Sequence, residues 1–209
     1  MTYSLNEIEA TSKRAARGAG YAWGLAEEAA KATRWLCGHG LDGTAELAHL
    51  LDLGLAAAPA DHRPDAMQGP WQGKGALCPL ATGTLLSDCA EQLRAGPVEM
   101  ANIAIPALLL PFAAYAAREL KGCVVLDCDG HLAACDGYSV STPDTLPAQA
   151  RRVVVSLGEQ RTGPSPHQTR AAPTDQAWAT LNRFAHRTYA PATEESRLLG
   201  AGAGLSDND

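Results

Sequence analysis

The sequence predicts an α+β protein, in which an N-terminal helical subdomain packs on a small mixed or antiparallel sheet with a C-terminal helix. Helical periodicity interrupted by glycines runs through the first part of the chain, whereas a strand, a helix and a hairpin follow one another in the middle. The sustained strand–helix alternation of a doubly wound sheet is not seen, which favours α+β over α/β. We expect residues 1–55 to form the helical subdomain, residues 56–80 a loop, and residues 81–209 an α+β core with an irregular tail, all within one compact domain.

Three short helices account for the helical subdomain. Ser4 and Glu7 have the spacing of a capping box, in which each side chain binds the backbone amide of the other residue, so a helix begins here and runs to about residue 17. Apolar residues recur at helical spacing over 24–36 and over 44–53, and each segment is followed closely by a glycine that favours a helix end. The next segment, 56–80, is rich in Gly, Pro and Ala and lacks periodicity, which is typical of a loop.

Strands enter in the second half of the chain. The elements expected there are a helix over 84–94, a strand over 98–105, a helix ending at 120, strands over 123–128, 131–140 and 151–157, and a final helix over 175–188. Asp129-Gly130 is a strong signal for a two-residue hairpin turn. That turn sets the register of the hairpin, so we expect Val124 opposite Cys135, Leu126 opposite Ala133 and Cys128 opposite His131.

Composition limits the classes of function. The net charge of −6 argues against a nucleic-acid-binding protein. Residues 151–190 nevertheless contain six arginines against Glu159 and Asp175. Such a region suits a small anionic metabolite or an intersubunit ion-pair network better than a polyanion, although scattered surface arginines explain it as well.

The N-terminal segment and the cysteines predict a cytoplasmic protein. Residues 1–14 contain four charged side chains and no apolar run typical of a signal peptide, so the six cysteines are expected to be reduced thiols. Residues 101–117 carry no charge, but Pro106 and Pro111 interrupt them. A buried strand followed by a buried helix explains this stretch better than a membrane span.

The C-terminal tail is the first candidate site. Alternating Gly and Ala let a backbone pass close to a ligand or to another chain, and oxygen donors at the chain end are the ligands that Mg²⁺ or Ca²⁺ prefers. The candidate anion-binding residues are Arg187, Arg197, Gly200, Gly202 and Gly204; the candidate ligands of a divalent cation are Asp207, Asn208 and Asp209; Glu194 and Glu195 are candidate catalytic carboxylates. The alternative is a flexible, solvated tail.

Three further residues are weaker catalytic candidates. Cys128 and His131 would lie side by side at the hairpin end, where a thiolate–imidazolium pair could act as a nucleophile. The alternative is a packed cysteine beside a histidine that faces solvent. His39 lies between two glycines and could serve as an acid or base, or simply end a helix. The cysteine spacings do not match a zinc knuckle.

Two blocks of the chain resemble a known family. They are the segment from Ser4-Leu5-Asn6-Glu7 through Trp23-Gly24-Leu25, and the tail from Thr188-Tyr189 to Asp209. Together they are similar to a bacterial family of proteins of about this length that is catalogued as a domain of unknown function. The resemblance implies a bacterial, single-domain protein and brings no activity or cofactor. Residues 7–51 also look like the opening of the malate/L-lactate dehydrogenase family that uses a Ser-His-Gly motif, but Gly38 stands in place of Ser and no cofactor-binding region can be matched.

Two functions remain open from the sequence. The first is a small enzyme, or an accessory subunit, that acts on a small polar or anionic metabolite, with a divalent cation as the candidate cofactor. The second is a non-enzymatic binding or assembly protein, whose Gly/Ala-rich tail packs at the subunit interface of a homodimer. Neither requires nucleic acid or a membrane.

Overall fold

The structure, a computed structural model, describes residues 1–159, 163 and 167–189, which form an α+β fold. The α-helices in this part of the chain are α1 (Leu5–Ala19), α2 (Trp23–Gly38), α3 (Gly43–Asp52), α4 (Pro79–Asp88), α5 (Leu110–Leu120) and α6 (Asp175–Ala185). The strands are β1 (Tyr3–Ser4), β2 (Val98–Ala104), β3 (Cys123–Cys128), β4 (His131–Cys135), β5 (Val140–Ser141), β6 (Gln149–Gly158) and β7 (Arg170–Ala171).

The predicted capping box at the start of α1 is confirmed. The Glu7 amide donates to Ser4 Oγ at 3.3 Å, and the Ser4 amide donates to Glu7 Oε2 at 2.8 Å. The Ser4 amide is also the first cause that holds the pKa of the Glu7 carboxyl below its ordinary value. The helix ends at Gly20, whose φ of 108° lies in the left-handed region.

The segment between α3 and α4 is tied to the sheet at two points. Trp71 donates its backbone amide to Glu99 O at 2.7 Å, and Leu77 donates its amide to Asn102 O at 2.7 Å. These contacts cover the outer edge of β2, and Trp71 is only 1% exposed. Helix α4 then begins at Pro79, earlier than the predicted start at residue 84, because proline suits the first turn of a helix.

The main sheet has five strands in the order β2-β6-β3-β4-β5, and every neighbouring pair is antiparallel. The predicted hairpin register is confirmed: Val124 lies opposite Cys135, Leu126 opposite Ala133 and Cys128 opposite His131. The return strand is shorter than predicted, since β4 ends at Cys135 and a turn separates it from β5.

Other elements of the protein cover the uncharged stretch 101–117. It forms the end of β2, a 3-10 helix (Pro106–Leu109) and most of α5, and most of its side chains are buried. Helix α5 packs against α4, β3 and β4. Among the described residues, no helix combines the length and the apolar character that a membrane crossing requires.

Helix α6 returns to the N-terminal helices. It packs against α1 and α3, so the helical layer combines the start of the chain with its last described helix. Helix α2 lies between α1 and α5, and it therefore links this layer to the helix that covers the sheet. The C-terminal halves of α2 and α5 line a recess on the protein surface.

Candidate functional site

A pocket between α2 and α5 gathers several cationic and hydrogen-bonding side chains. Its volume is about 260 Å³. Its lining residues are Leu5 from α1; Lys31, Arg34, Trp35 and Gly38 from α2; His39; Tyr115 and Arg118 from α5; and His167. We call it the α2–α5 pocket.

Two of the three permanent cations come from one face of α2. Positions 31, 34, 35 and 38 repeat at helical spacing, so their side chains share this face. Lys31 Nζ lies 2.7 Å from Glu28 Oε1, and Arg34 Nη1 lies 2.8 Å from Glu9 Oε2. Arg34 Nη1 also donates to Asn6 Oδ1. These partners use one of the three donors of Lys31 and leave Nε and Nη2 of Arg34 without an acceptor among the described residues.

The third cation, Arg118, projects from α5. Its Nη2 donates to Gly137 O at 3.0 Å, and its guanidinium lies 5.3 Å from the centre of the Tyr138 ring. Both partners belong to the turn between β4 and β5, which is therefore fastened to α5. The other N–H groups of Arg118 have no acceptor in the described part of the structure, so they are available to a ligand.

Tyr115 supplies a neutral donor beside these cations. Burial is the main reason that the pKa of its hydroxyl lies above its ordinary value, and the nearby Glu28 carboxylate adds to the effect. The hydroxyl therefore stays protonated near neutral pH. It makes no hydrogen bond to any described residue, and it can donate one to an acceptor in the pocket.

The segment after residue 166 closes the pocket at the C-terminal end of α2. Gln168 donates its amide to Gly38 O at 2.7 Å, which holds this segment against the helix. A Cβ on Gly38 would lie 3.5 Å from His167 Nε2 and 3.5 Å from Leu5 Cδ1, so both side chains close over the glycine. No described residue forms a hydrogen bond with the His167 ring, which borders the pocket.

His39, predicted as an acid or base, has other partners. Its Nδ1 lies 2.8 Å from Trp35 O and its Nε2 lies 3.2 Å from Tyr138 O. The ring also stacks on Trp35, with 3.9 Å between ring centres. Since both ring nitrogens face protein carbonyls, His39 shapes the wall of the pocket, and His167 is the imidazole better placed for proton transfer.

One segment of the chain is similar to a known family. The model of the family described as "Protein of unknown function (DUF3726)" matches residues 3–84. The N-terminal block thus resembles a DUF3726 protein. No curated protein and no solved structure matches the chain.

The DUF3726 segment, residues 3–84, supplies one wall of the pocket. Leu5, α2 and His39 lie within it, whereas α5 and His167 lie outside it. The predicted resemblance is therefore confirmed over the N-terminal block, but the match does not extend to the C-terminal block that also suggested it.

The Cys128–His131 pair is adjacent, as expected, but the chemistry differs from that of a nucleophile. His131 Nδ1 lies 3.1 Å from the carbonyl oxygen of Cys128, and no hydrogen bond joins it to the thiol. Burial, together with the carboxylates of Asp127 and Asp129, raises the pKa of the Cys128 thiol to about 12. The thiol is thus protonated near neutral pH, whereas a cysteine nucleophile needs a lowered pKa.

The tail candidates lie almost wholly outside the described residues. This holds for Glu194, Glu195, Arg197, Gly200, Gly202, Gly204, Asp207, Asn208 and Asp209. Arg187 is described: its guanidinium lies 4.6 Å from the centre of the Phe184 ring, and it does not line the α2–α5 pocket. Within the described part of the chain, no group of three His, Cys, Asp or Glu side chains is arranged to hold a metal ion.

Two larger recesses carry less chemistry. One, of about 600 Å³, lies between residues 67–71 and 92–99, and its charged lining residue, Glu99, is paired with Arg152 at 2.7 Å. The other, of about 790 Å³, lies beside α4 and is lined mainly by Ala, Pro, Leu and Met, with Arg63, Asp65 and Asp88 as its charged residues. Neither gathers several side chains of one charge.

Proposed function

We propose that the protein binds a small anion in the α2–α5 pocket. The observation that carries this proposal is the surplus of hydrogen-bond donors. Lys31, Arg34 and Arg118 keep N–H groups that no described residue accepts. The Tyr115 hydroxyl is a further donor without an acceptor among the described residues. Charge-assisted hydrogen bonds from such groups are the usual means of holding a carboxylate, phosphate or sulfate group.

The size of the pocket favours a ligand with few atoms. Its volume of about 260 Å³ lies below the roughly 300–1,000 Å³ of pockets that hold drug-sized molecules. A short-chain carboxylate or a small phosphorylated or sulfonated metabolite fits this space. Trp35 and Leu5 give the pocket an apolar wall, which suits a ligand with a short carbon skeleton.

The expectations about compartment and reaction accompany this proposal. All six cysteines are free thiols, which supports a reducing compartment such as the bacterial cytoplasm. If the bound anion is also a substrate, His167 is the group that we would assign to proton transfer. The alternative role as an assembly protein, with its tail at a homodimer interface, concerns residues beyond 189, outside the described part of the chain.

Thermal denaturation with sulfate, phosphate or malonate tests the proposal. A ligand that binds the native state raises the melting temperature, so we expect at least one of these anions to stabilise the protein more than its sodium chloride control at equal ionic strength. Glycerol serves as the uncharged control. Equal melting temperatures in all of these solutions would refute the anion site.

Substitution of Lys31 locates the site. Lys31 is half exposed, so Lys31→Gln should fold normally but bind the anion about tenfold more weakly, because one charge-assisted hydrogen bond is lost. The matched control is Lys74→Gln. Lys74 Nζ lies 3.3 Å from Asp61 Oδ1, and neither residue lines this pocket. Equal weakening by both substitutions would show only an effect of net charge.

A further inference from the structure

We infer that the ligand of the α2–α5 pocket is a short-chain monocarboxylate and that the Arg34 guanidinium selects its carboxylate group. This inference rests on the proposed anion site and names the class of its ligand. The supporting observations are the N–H groups of Arg34 that remain unused, the charge balance of the pocket, and the apolar side chains that border it.

Arg34 is anchored to α1 through one of its nitrogens. Nη1 has two N–H groups, and it has two acceptors: Asn6 Oδ1 and, at 2.8 Å, Glu9 Oε2. Asn6 and Glu9 both belong to α1, so the guanidinium connects α2 to α1 and its orientation is fixed at one end. A ligand therefore meets an oriented group and loses little affinity to the ordering of a long side chain.

The unused N–H groups of Arg34 lie together on one edge of the guanidinium. Nε–H and one Nη2–H point in parallel away from Nη1, and neither has an acceptor among the described residues. This edge matches the two oxygens of one carboxylate. The same chain contains such a pair, since Arg152 donates to Glu99 Oε2 from Nε at 3.2 Å and to Glu99 Oε1 from Nη2 at 2.7 Å.

The charge balance of the pocket suits a monoanion. Two of its three permanent cations already have carboxylate partners: Lys31 is paired with Glu28, and Arg34 is paired with Glu9. Arg118 instead contacts a backbone carbonyl and an aromatic ring, and it forms no ion pair in the described part of the chain. One positive charge is thus left without a counter-charge, which a carboxylate supplies and a doubly charged anion exceeds.

The apolar border of the pocket favours a ligand that carries a carbon chain. Leu5 and Trp35 line it, and Gly38 has no side chain to fill the space near Leu5 and His167. Each methylene group buried there strengthens binding by up to about fourfold. Inorganic sulfate or phosphate has no such group, and the volume of about 260 Å³ keeps the chain short.

The other donors of the pocket can complete the binding of the same group. A carboxylate accepts about four hydrogen bonds, of which the free edge of Arg34 supplies two. Lys31, Arg118 and the Tyr115 hydroxyl are available for the others, and the His167 ring, which borders the pocket, can also donate one. These groups donate to any anion, whereas the paired edge of Arg34 favours a planar carboxylate.

Propionate and ethanesulfonate test the inference, because both are ionised monoanions near neutral pH and carry the same ethyl group. The sulfonate spreads its charge over three oxygens and is the weaker acceptor. NMR titration of the full-length protein at about pH 7 measures both affinities and shows whether amides of α2 and α5 shift. We expect propionate to bind at least about fivefold more tightly than ethanesulfonate and more tightly than acetate.

Arg34→Lys keeps the positive charge but removes the paired edge. We expect this variant to bind propionate about tenfold more weakly and ethanesulfonate less than about threefold more weakly. Arg183→Lys is the matched control, because Arg183 Nη2 lies 2.5 Å from Asp52 Oδ1 and neither residue lines the pocket. His167→Gln should weaken both anions by similar factors, since a single donor does not read the shape of the head group.

The outcomes separate the inference from the proposed function. If propionate, ethanesulfonate and sulfate all leave the amides of the pocket unshifted, the anion site itself is refuted. If sulfate or ethanesulfonate binds at least as tightly as propionate, the carboxylate inference is wrong while the site stands. Equal weakening of both anions by Arg34→Lys, or a preference that His167→Gln alone abolishes, would overturn the role of Arg34. If Arg34→Lys does not fold, the preference of the unmodified protein decides.

Discussion

The carboxylate of Asp129 joins two parts of the sheet that are distant in sequence. It lies in the hairpin turn between β3 and β4, with a φ of 51°, and it accepts the backbone amides of Arg151 at 2.8 Å and Arg152 at 3.0 Å in β6. The hydrogen bond from the Arg151 amide is the first cause that holds the pKa of this carboxyl below its ordinary value. The turn residue thus also fixes the neighbouring strand.

Replacement of this carboxylate should destabilise the protein in a pH-dependent way. Because the pKa is lower in the folded chain than in the unfolded chain, ionised Asp129 stabilises the fold above the unfolded pKa. That stabilisation is lost as the pH falls through the folded pKa. Asp129→Asn keeps a residue that tolerates positive φ but removes the charge. We expect a lower melting temperature than that of the unmodified protein at about pH 7 and a smaller difference below about pH 4.

Circular dichroism melting curves across this pH range provide the measurement. Asp88→Asn is the control, because Asp88 is exposed and its carboxylate forms no hydrogen bond with other described residues. A melting-temperature difference for Asp129→Asn that stays constant from neutral to acid pH would contradict the role of the charge.

Single residues also show where sequence reasoning stops. The adjacency of Cys128 and His131 follows from the hairpin turn, because register depends on local geometry. The state of the thiol does not follow, since it depends on burial by other elements. Likewise the pattern Gly-His-Gly predicts an accessible imidazole at His39. In the structure, the carbonyl oxygen of Tyr138, which is distant in sequence, lies 3.2 Å from His39 Nε2.

At the scale of elements, local sequence signals predict most of the helices and strands. The capping box at Ser4, the glycines after α1 and α2, and the Asp129-Gly130 turn act through contacts within a few residues, so they can be recognised without a fold. Helix α4 begins earlier than the sequence pattern predicts, because apolar periodicity is weak in its first turn, which contains Pro79 and no charged residue. Its position is determined by packing against α5.

Close contact between α1 and α6 depends on one glycine. A Cβ on Gly18 would overlap the carbonyl group of Phe184, whereas no atom of another described element lies within 4 Å of a Cβ on Gly24 in α2. Gly18→Ala should lower the free energy of unfolding by about 1–3 kcal/mol, because α6 must move away from α1. Gly24→Ala should be neutral or stabilising by up to about 1 kcal/mol. Urea denaturation measures both, and equal stability of the two variants would contradict this packing.

At the scale of the whole molecule, the candidate pocket could not be found from sequence. The spacing of Lys31, Arg34 and Trp35 on α2, and of Tyr115 and Arg118 on α5, indicates shared helix faces. Which of these faces meet depends on how α2 lies between α1 and α5, and that arrangement arises from contacts distant in sequence. The arginine-rich region 151–190 predicts an anion site in the later part of the chain. The pocket instead obtains its permanent cations from α2 and α5, before residue 120.

The boundary of the DUF3726 match is not a boundary of the fold. The match ends at residue 84, within α4 (Pro79–Asp88). One cluster of buried side chains continues from α1 to α6, and it includes Ala16, Leu86, Phe112 and Leu181. Helix α5 packs on α4, and helix α6 packs on α1. Without α5 and α6, the helices of the DUF3726 segment would therefore expose apolar faces.

Truncation tests whether the N-terminal helices need the rest of the chain. A fragment of residues 1–96 retains α1 to α4 but lacks α5, α6 and the whole five-stranded sheet. Because most helix stability in proteins comes from tertiary packing, we expect this fragment to lose helicity and to unfold without a cooperative transition. A fragment of residues 1–189, which keeps every described element, should unfold cooperatively. A sharp urea transition of the shorter fragment would show that the DUF3726 segment folds alone, and α5 would then be an addition that completes the pocket but not the core.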